Sequence, residues 1–74
     1  MEIVYRLRID EIYDDEGELH TVYGVDACDG DGNILESISD IFLEREKAEG
    51  FIGLCNSLSL SLVHLYDVIE DVLI

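Results

Sequence analysis

Three groups of residues have the types and spacing to do chemistry. Asp29-Gly30-Asp31-Gly32-Asn33 places carboxylate or amide oxygens at every second position, as the start of a calcium loop does. His64, Asp67 and Asp71 fall at i, i+3 and i+7 with Glu70 beside them. On a helix that spacing sets one imidazole and two carboxylates along one side, a donor set that suits a divalent metal. Cys55, His20 and His64 supply a thiol and two imidazoles, the parts of an activated nucleophile.

Each group has a plainer reading. A helix–loop–helix calcium site needs a sharp-turn glycine at its sixth position and a bidentate Glu at its twelfth. Counting from Asp29, those places hold Ile34 and Asp40. The flanks read as strands, and Asp-Gly and Gly-Asn steps are hairpin signals, so the spacing predicts a turn. Around His64 the acids read equally as the solvated face of a helix, so His64, Asp67 and Asp71 are weak metal candidates and no metal site is assigned. Cys55 falls on an apolar stripe, which makes it a core thiol rather than a nucleophile. His20 falls on the opposite strand face from Tyr23 and is expected to be exposed. Ser57, Ser59 and Ser61 alternate with leucines and read as loop and cap residues. Carboxylates are plentiful, but nothing in the sequence singles out a pair for acid–base work. The reading is of a protein that is not an enzyme and has no cofactor.

The elements that must position these residues follow from periodicity. Ile3, Tyr5, Leu7 and Ile9 alternate with Glu2, Arg6, Arg8 and Asp10, the pattern of a half-buried strand. Asp14 to Glu18 is a turn. Leu19, Thr21, Tyr23, Val25 and Ala27 form a second strand face, and Ile34 to Ser39 a third strand. The period then changes. Phe51, Leu54, Cys55 and Leu58 stand at i, i+3, i+4 and i+7, predicting a helix over roughly 43 to 58. Asn56 to Leu60 serves as the connection, and Ser61 is the expected N-cap of a last helix. That helix carries a stripe of Leu65, Val68, Ile69, Val72 and Leu73. The fold class is therefore α+β, a three-stranded antiparallel meander followed by two antiparallel helices packed on one sheet face, in one domain over residues 1–74.

Gly50 and Gly53 weaken the first helix by about 1 kcal/mol each relative to alanine. Either a close contact inside the monomer or a subunit interface would account for them. Ile41, Phe42, Leu43, Ile52 and Val63 fit neither helical stripe well. Phe42 and Ile52 are accordingly assigned to an apolar interface, in a homodimer or with a partner.

Charge narrows the function classes. Eighteen acids face four bases, for a net charge of −14, while 49% of the residues are hydrophobic. The chain reads as a folded body in an acidic coat, not as a disordered acidic tail. Such a coat excludes nucleic acid as a direct ligand and disfavours anionic membranes. Cys28 and Cys55 are the only cysteines, and they read as buried thiols in a reducing cytosol. The start MEIVYRLRID lacks the features of a signal peptide. The expected setting is cytoplasmic.

The stretches Leu54-Cys55-Asn56 and His64 to Asp71, with the MEIVYRLRID strand, Tyr23-Gly24-Val25 and Ser39-Asp40-Ile41, resemble a family of small uncharacterised bacterial proteins, a domain of unknown function from Gram-positive anaerobes and their mobile elements. The resemblance covers nearly the whole chain. It implies a fold and a cytoplasmic setting, and it transfers no catalytic residue.

The leading expectation is an acidic protein that binds a basic partner, such as a nucleic-acid-binding effector, by imitating a phosphate backbone. Asp14, Asp15, Glu16 and Glu18 in the first turn and Asp67, Glu70 and Asp71 on the last helix carry that role. The alternative is a small homodimeric adaptor that binds through apolar surface. The acids also read more simply, as a coat that keeps a small apolar protein in solution.

Overall fold

Alternation in the first half of the chain produces three long strands. In the computed structural model, which describes residues 2–73, β1 spans Val4–Tyr13, β2 Leu19–Cys28 and β3 Ile34–Phe42. They form one antiparallel sheet in the order β1-β2-β3. Tyr5 stands opposite Ala27 and Leu7 opposite Val25, which puts these four side chains on one face. Two helices follow, α1 over Arg45–Ser57 and α2 over Leu65–Leu73, with a 3-10 turn at Leu62–His64 leading into α2. The α+β architecture is as the periodicity predicts.

One core joins the layers. Tyr5, Val25 and Ala27 from the sheet, Phe51, Ile52 and Cys55 from α1, and Leu65 and Ile69 from α2 form a single buried cluster. Burying a side chain the size of Phe51 or Leu65 contributes about 1.5–3 kcal/mol. Both cysteines are free and buried, as expected.

The face of α1 differs from the expected one. The buried residues are Ala48, Phe51, Ile52 and Cys55, while Leu54 and Leu58 are 49% and 65% exposed. Both sets obey the same spacing. The sheet takes the one containing Ala48, whose small side chain lets the helix approach closely. The helix also begins two residues later than expected, leaving Leu43 outside it and 78% exposed.

The apolar interface assigned to Phe42 and Ile52 is corrected at Ile52 by its position. Ile52 belongs to the core cluster. Phe42 is half-buried and stacks at a tilt on Phe51, with ring centroids 5.6 Å apart. Ile52 cannot meet another molecule without opening the fold, whereas Phe42 keeps part of its surface accessible. Ile41 also packs against the cluster, so of the unplaced apolar residues only Leu43 and Val63 point fully outward.

The connection is more ordered than its composition suggests. Asn56 and Ser57 belong to α1, and the helix closes in two characteristic bonds: Ser59 N–H donates to Asn56 O at 3.2 Å, and Leu60 N–H donates to Cys55 O at 3.0 Å. These are the paired bonds of a Schellman ending. Its left-handed position is held by Ser59, at φ 49°, where glycine is usual. Ser61 precedes the 3-10 turn in extended conformation and makes no side-chain cap; its carbonyl accepts from His64 N–H at 3.1 Å instead.

Two hairpin turns share one design. Asp14-Asp15-Glu16-Gly17-Glu18 and Asp29-Gly30-Asp31-Gly32-Asn33 each begin with an aspartate and place a positive-φ glycine three residues on, at φ 80° and 89°. In each, the first aspartate's Oδ1 accepts two backbone N–H bonds at 2.9 Å, from the second and fourth residues after it.

Candidate acidic binding surface

The β1–β2 hairpin ends in a carboxylate-rich tip whose shape is set by Asp14. Its Oδ1 holds the Glu16 and Glu18 amides, and its Oδ2 lies 2.7 Å from His20 Nε2. The imidazole contact, then the backbone donors, hold the Asp14 carboxyl below the usual carboxylate range. Asp15, Glu16 and Glu18 stay exposed and enter no ion pair among the described residues. Repulsion among these carboxylates works against the turn, and the Asp14 bonds offset it.

The second turn uses its oxygens internally. Asp29 Oδ1 accepts from Asp31 and Asn33 N–H, and Asp29 Oδ2 accepts from Asn33 Nδ2 at 3.1 Å. The Asn33 bonds, backbone first, lower the Asp29 pKa. The alternating oxygens of DGDGN therefore build a hairpin, with strands on both sides. The two acidic turns sit at opposite ends of β2, whose ten residues separate them by about 30 Å.

On α2, Asp67, Glu70 and Asp71 are all exposed. His64 lies in the 3-10 turn before the helix, so the i, i+3, i+7 spacing does not run along one regular helix. Its Nδ1 is 4.0 Å from Asp67 Oδ2, with side-chain exposures of 64% and 79%. The structure does not gather His64, Asp67 and Asp71 into a ligand set. Among the described residues, three metal-type side chains converge only at Asp14, Glu18 and His20, whose ligand atoms lie within 4.8 Å of one another. Sequence reasoning placed His20 at the surface without joining it to the turn. The signal was available, since His20 follows Glu18 by two residues on the strand that leaves the turn.

Bases are largely spoken for. On the sheet face away from the helices, Arg8 Nε donates to Asp10 Oδ2 at 2.7 Å and Nη1 donates to Ser37 Oγ at 2.7 Å, with Asp26 Oδ1 at 3.5 Å. Ser37 Oγ in turn donates to Asp26. The Asp10 contact, ahead of Asp26, raises the Arg8 pKa. Arg45 pairs with Glu49 at 2.6 Å and Lys47 lies 3.9 Å from Glu44. Three of the four bases are thus matched to acids, and the remaining carboxylates are uncompensated.

The nucleophile reading finds no support in geometry. Cys55 is 1% exposed inside the core, and burial raises its thiol pKa. A cavity of about 470 Å³ lies between the start of β1 and the α1–α2 connection, bounded by Ile3, Asn56, Ser59 and Leu60 among others. Its one charged lining residue is Glu2, so it holds no acid–base pair.

Fold and surface together define a small α+β domain with three of its four bases paired to acids and most of its acids left without a basic partner among the described residues. The chain belongs to the family of unknown function DUF6514, whose model matches residues 1–74. No curated protein and no solved structure matches it. No helix among the described residues is long and apolar enough to cross a membrane.

Proposed function

We propose that this protein is a non-enzymatic binding protein that occupies the cationic surface of a nucleic-acid-handling partner. The carrying observation is the β1–β2 tip, where Asp14 fixes the turn and leaves Asp15, Glu16 and Glu18 outward and unpaired. Carboxylates on an ordered turn present charge at set positions, so less ordering is lost on binding than for a flexible acidic tail. The exposed Asp67, Glu70 and Asp71 add a second group, and the net charge of −14 draws cationic partners over long range. The bacterial, mobile-element setting that the sequence resembles suits a cytoplasmic inhibitor that counters a host's nucleic-acid machinery. The test is capture from a bacterial lysate at low salt with elution in a salt gradient. Basic nucleic-acid-binding proteins should be retained, released by salt and displaced by duplex DNA. Retention indifferent to salt and DNA would refute the proposal.

A homodimeric adaptor is the second reading, favoured by Leu43 and Val63 at 78% and 82% exposure. Light scattering on the wild type and on Leu43→Asp and Val63→Asp separates the two. An adaptor dimer dissociates in these variants, whereas an acidic decoy is monomeric throughout.

A further inference from the structure

We infer that the groove between α1, the end of β3 and α2 receives a large apolar side chain of the same basic partner, an inference that rests on the acidic-decoy reading. The groove holds about 310 Å³ and is lined by Phe42, Lys47, Gly50, Phe51, Leu54 and Val72. Its floor is Phe42 stacked on Phe51, and its walls are Leu54 and Val72, 49% and 45% exposed. Gly50 opens it: a Cβ there would meet nothing within 4 Å. Internal packing therefore does not require this glycine, although glycine weakens a helix interior.

Charge identifies the occupant. Glu46 stands one helical turn before Gly50 and two before Leu54 on α1, is exposed, and forms no ion pair among the described residues. Lys47 leans toward Glu44, so it contributes its methylene stem to the wall and keeps its ammonium at the rim. An apolar floor beside a free carboxylate complements a large apolar residue next to Lys or Arg. A second copy of this chain fits poorly, because it would set −14 against −14.

The experiment uses a short labelled lysine–leucine peptide with one apolar helical face, and its scrambled isomer without such a face. Fluorescence anisotropy compares the full chain, Gly50→Leu, Leu54→Gln, and the triple variant Asp15→Asn, Glu16→Gln, Glu18→Gln. The wild type should bind the amphipathic peptide at least tenfold tighter than the isomer. Gly50→Leu, which fills the groove, should erase that preference while Tm holds or rises, and Leu54→Gln should reduce it. Equal binding of both peptides by the wild type overturns the groove and, if the triple variant weakens both, leaves the acidic reading standing. A preference that persists in Gly50→Leu also overturns the groove. Undiminished binding of both peptides by the triple variant counts against the acidic reading instead. A wild-type dimer that Gly50→Leu dissolves assigns the groove to a second copy and overturns the inference.

Discussion

The side-chain amide of Asn56 pairs with both backbone groups of Tyr5: Oδ1 accepts from Tyr5 N–H at 2.8 Å, and Nδ2 donates to Tyr5 O at 3.0 Å. β1 is an edge strand, and unpaired edges template unwanted association. Here one helix residue stands in for a strand neighbour. The Tyr5 hydroxyl completes the link by donating to Leu60 O at 2.8 Å. Sheet, helix and connection therefore meet at a residue that is 2% exposed.

Removing this amide should cost more than an ordinary surface substitution. Asn56→Ala leaves a part-buried donor and acceptor without partners, an expected loss of about 1–3 kcal/mol. Tyr5→Phe should cost about 1–2 kcal/mol through the orphaned Leu60 carbonyl. Urea unfolding measures both. A loss below about 0.5 kcal/mol for Asn56→Ala would show that the edge pairing is not stabilising.

The ending of α1 contains a removable strain. Ser59 occupies the left-handed region at φ 49°, which costs a residue with a Cβ about 1 kcal/mol. Ser59→Gly should raise stability by roughly 0.5–1 kcal/mol, while Ser59→Val should lower it. Thermal denaturation of the pair decides the matter, and the order of their midpoints is the readout.

Gly24 has the opposite character. A Cβ there would collide with the Ile38 carbonyl oxygen and lie 2.9 Å from Ser39 Cα. The cause is an irregularity in β3: Tyr23 pairs with Phe42 but Val25 pairs with Ile38, so extra residues bend β3 against β2. Asp40 turns the bulge at φ 57°. Gly24→Ala should cost about 1–3 kcal/mol or more, read as a lower urea midpoint or a loss of folded protein.

Stability should fall at both ends of the pH scale for different reasons. Asp14 and Asp29 have pKa values lowered from 3.8, the first chiefly by His20 and the second chiefly by Asn33. A lowered folded pKa gives stability that is present above 3.8 and lost as pH falls below it. Cys55 and Tyr5 are raised from 9.0 and 10.0, both chiefly by burial. A raised folded pKa gives stability that is present below those values and lost as pH climbs past them. In melting scans against pH, Asp14→Asn with Asp29→Asn should flatten the acid limb and leave the alkaline limb unchanged. An unaltered acid limb would contradict the turn assignment.

Much of this was legible in the sequence. Period-two runs located the strands, and DGDGN declared a turn because Asp29 can bond its own following backbone. The buried face of α1 was not legible, because Phe51 and Cys55 belong to two overlapping stripes. Only contact with the sheet chooses the one with Ala48 over the one with Leu58. The packing of Phe42 was hidden for a similar reason: it ends a strand, and its partner Phe51 meets it only when α1 folds back. Asn56 looked like a loop residue, since nothing local shows an amide reaching a strand fifty-one residues earlier. At the acidic surface the residues themselves were plain, whereas the His20 contact and the pairing-off of Arg8, Arg45 and Lys47 depended on tertiary neighbours.

The proposed function rests on uncompensated carboxylates held at fixed positions and read by a cationic partner. Its most direct test is the association rate with a captured basic partner as a function of ionic strength, for the wild type and for Asp15→Asn, Glu16→Gln, Glu18→Gln. The wild-type rate should fall at least tenfold between about 50 and 200 mM salt, and the variant should start slower and fall less. Identical rates for the two proteins at every salt concentration would contradict the account.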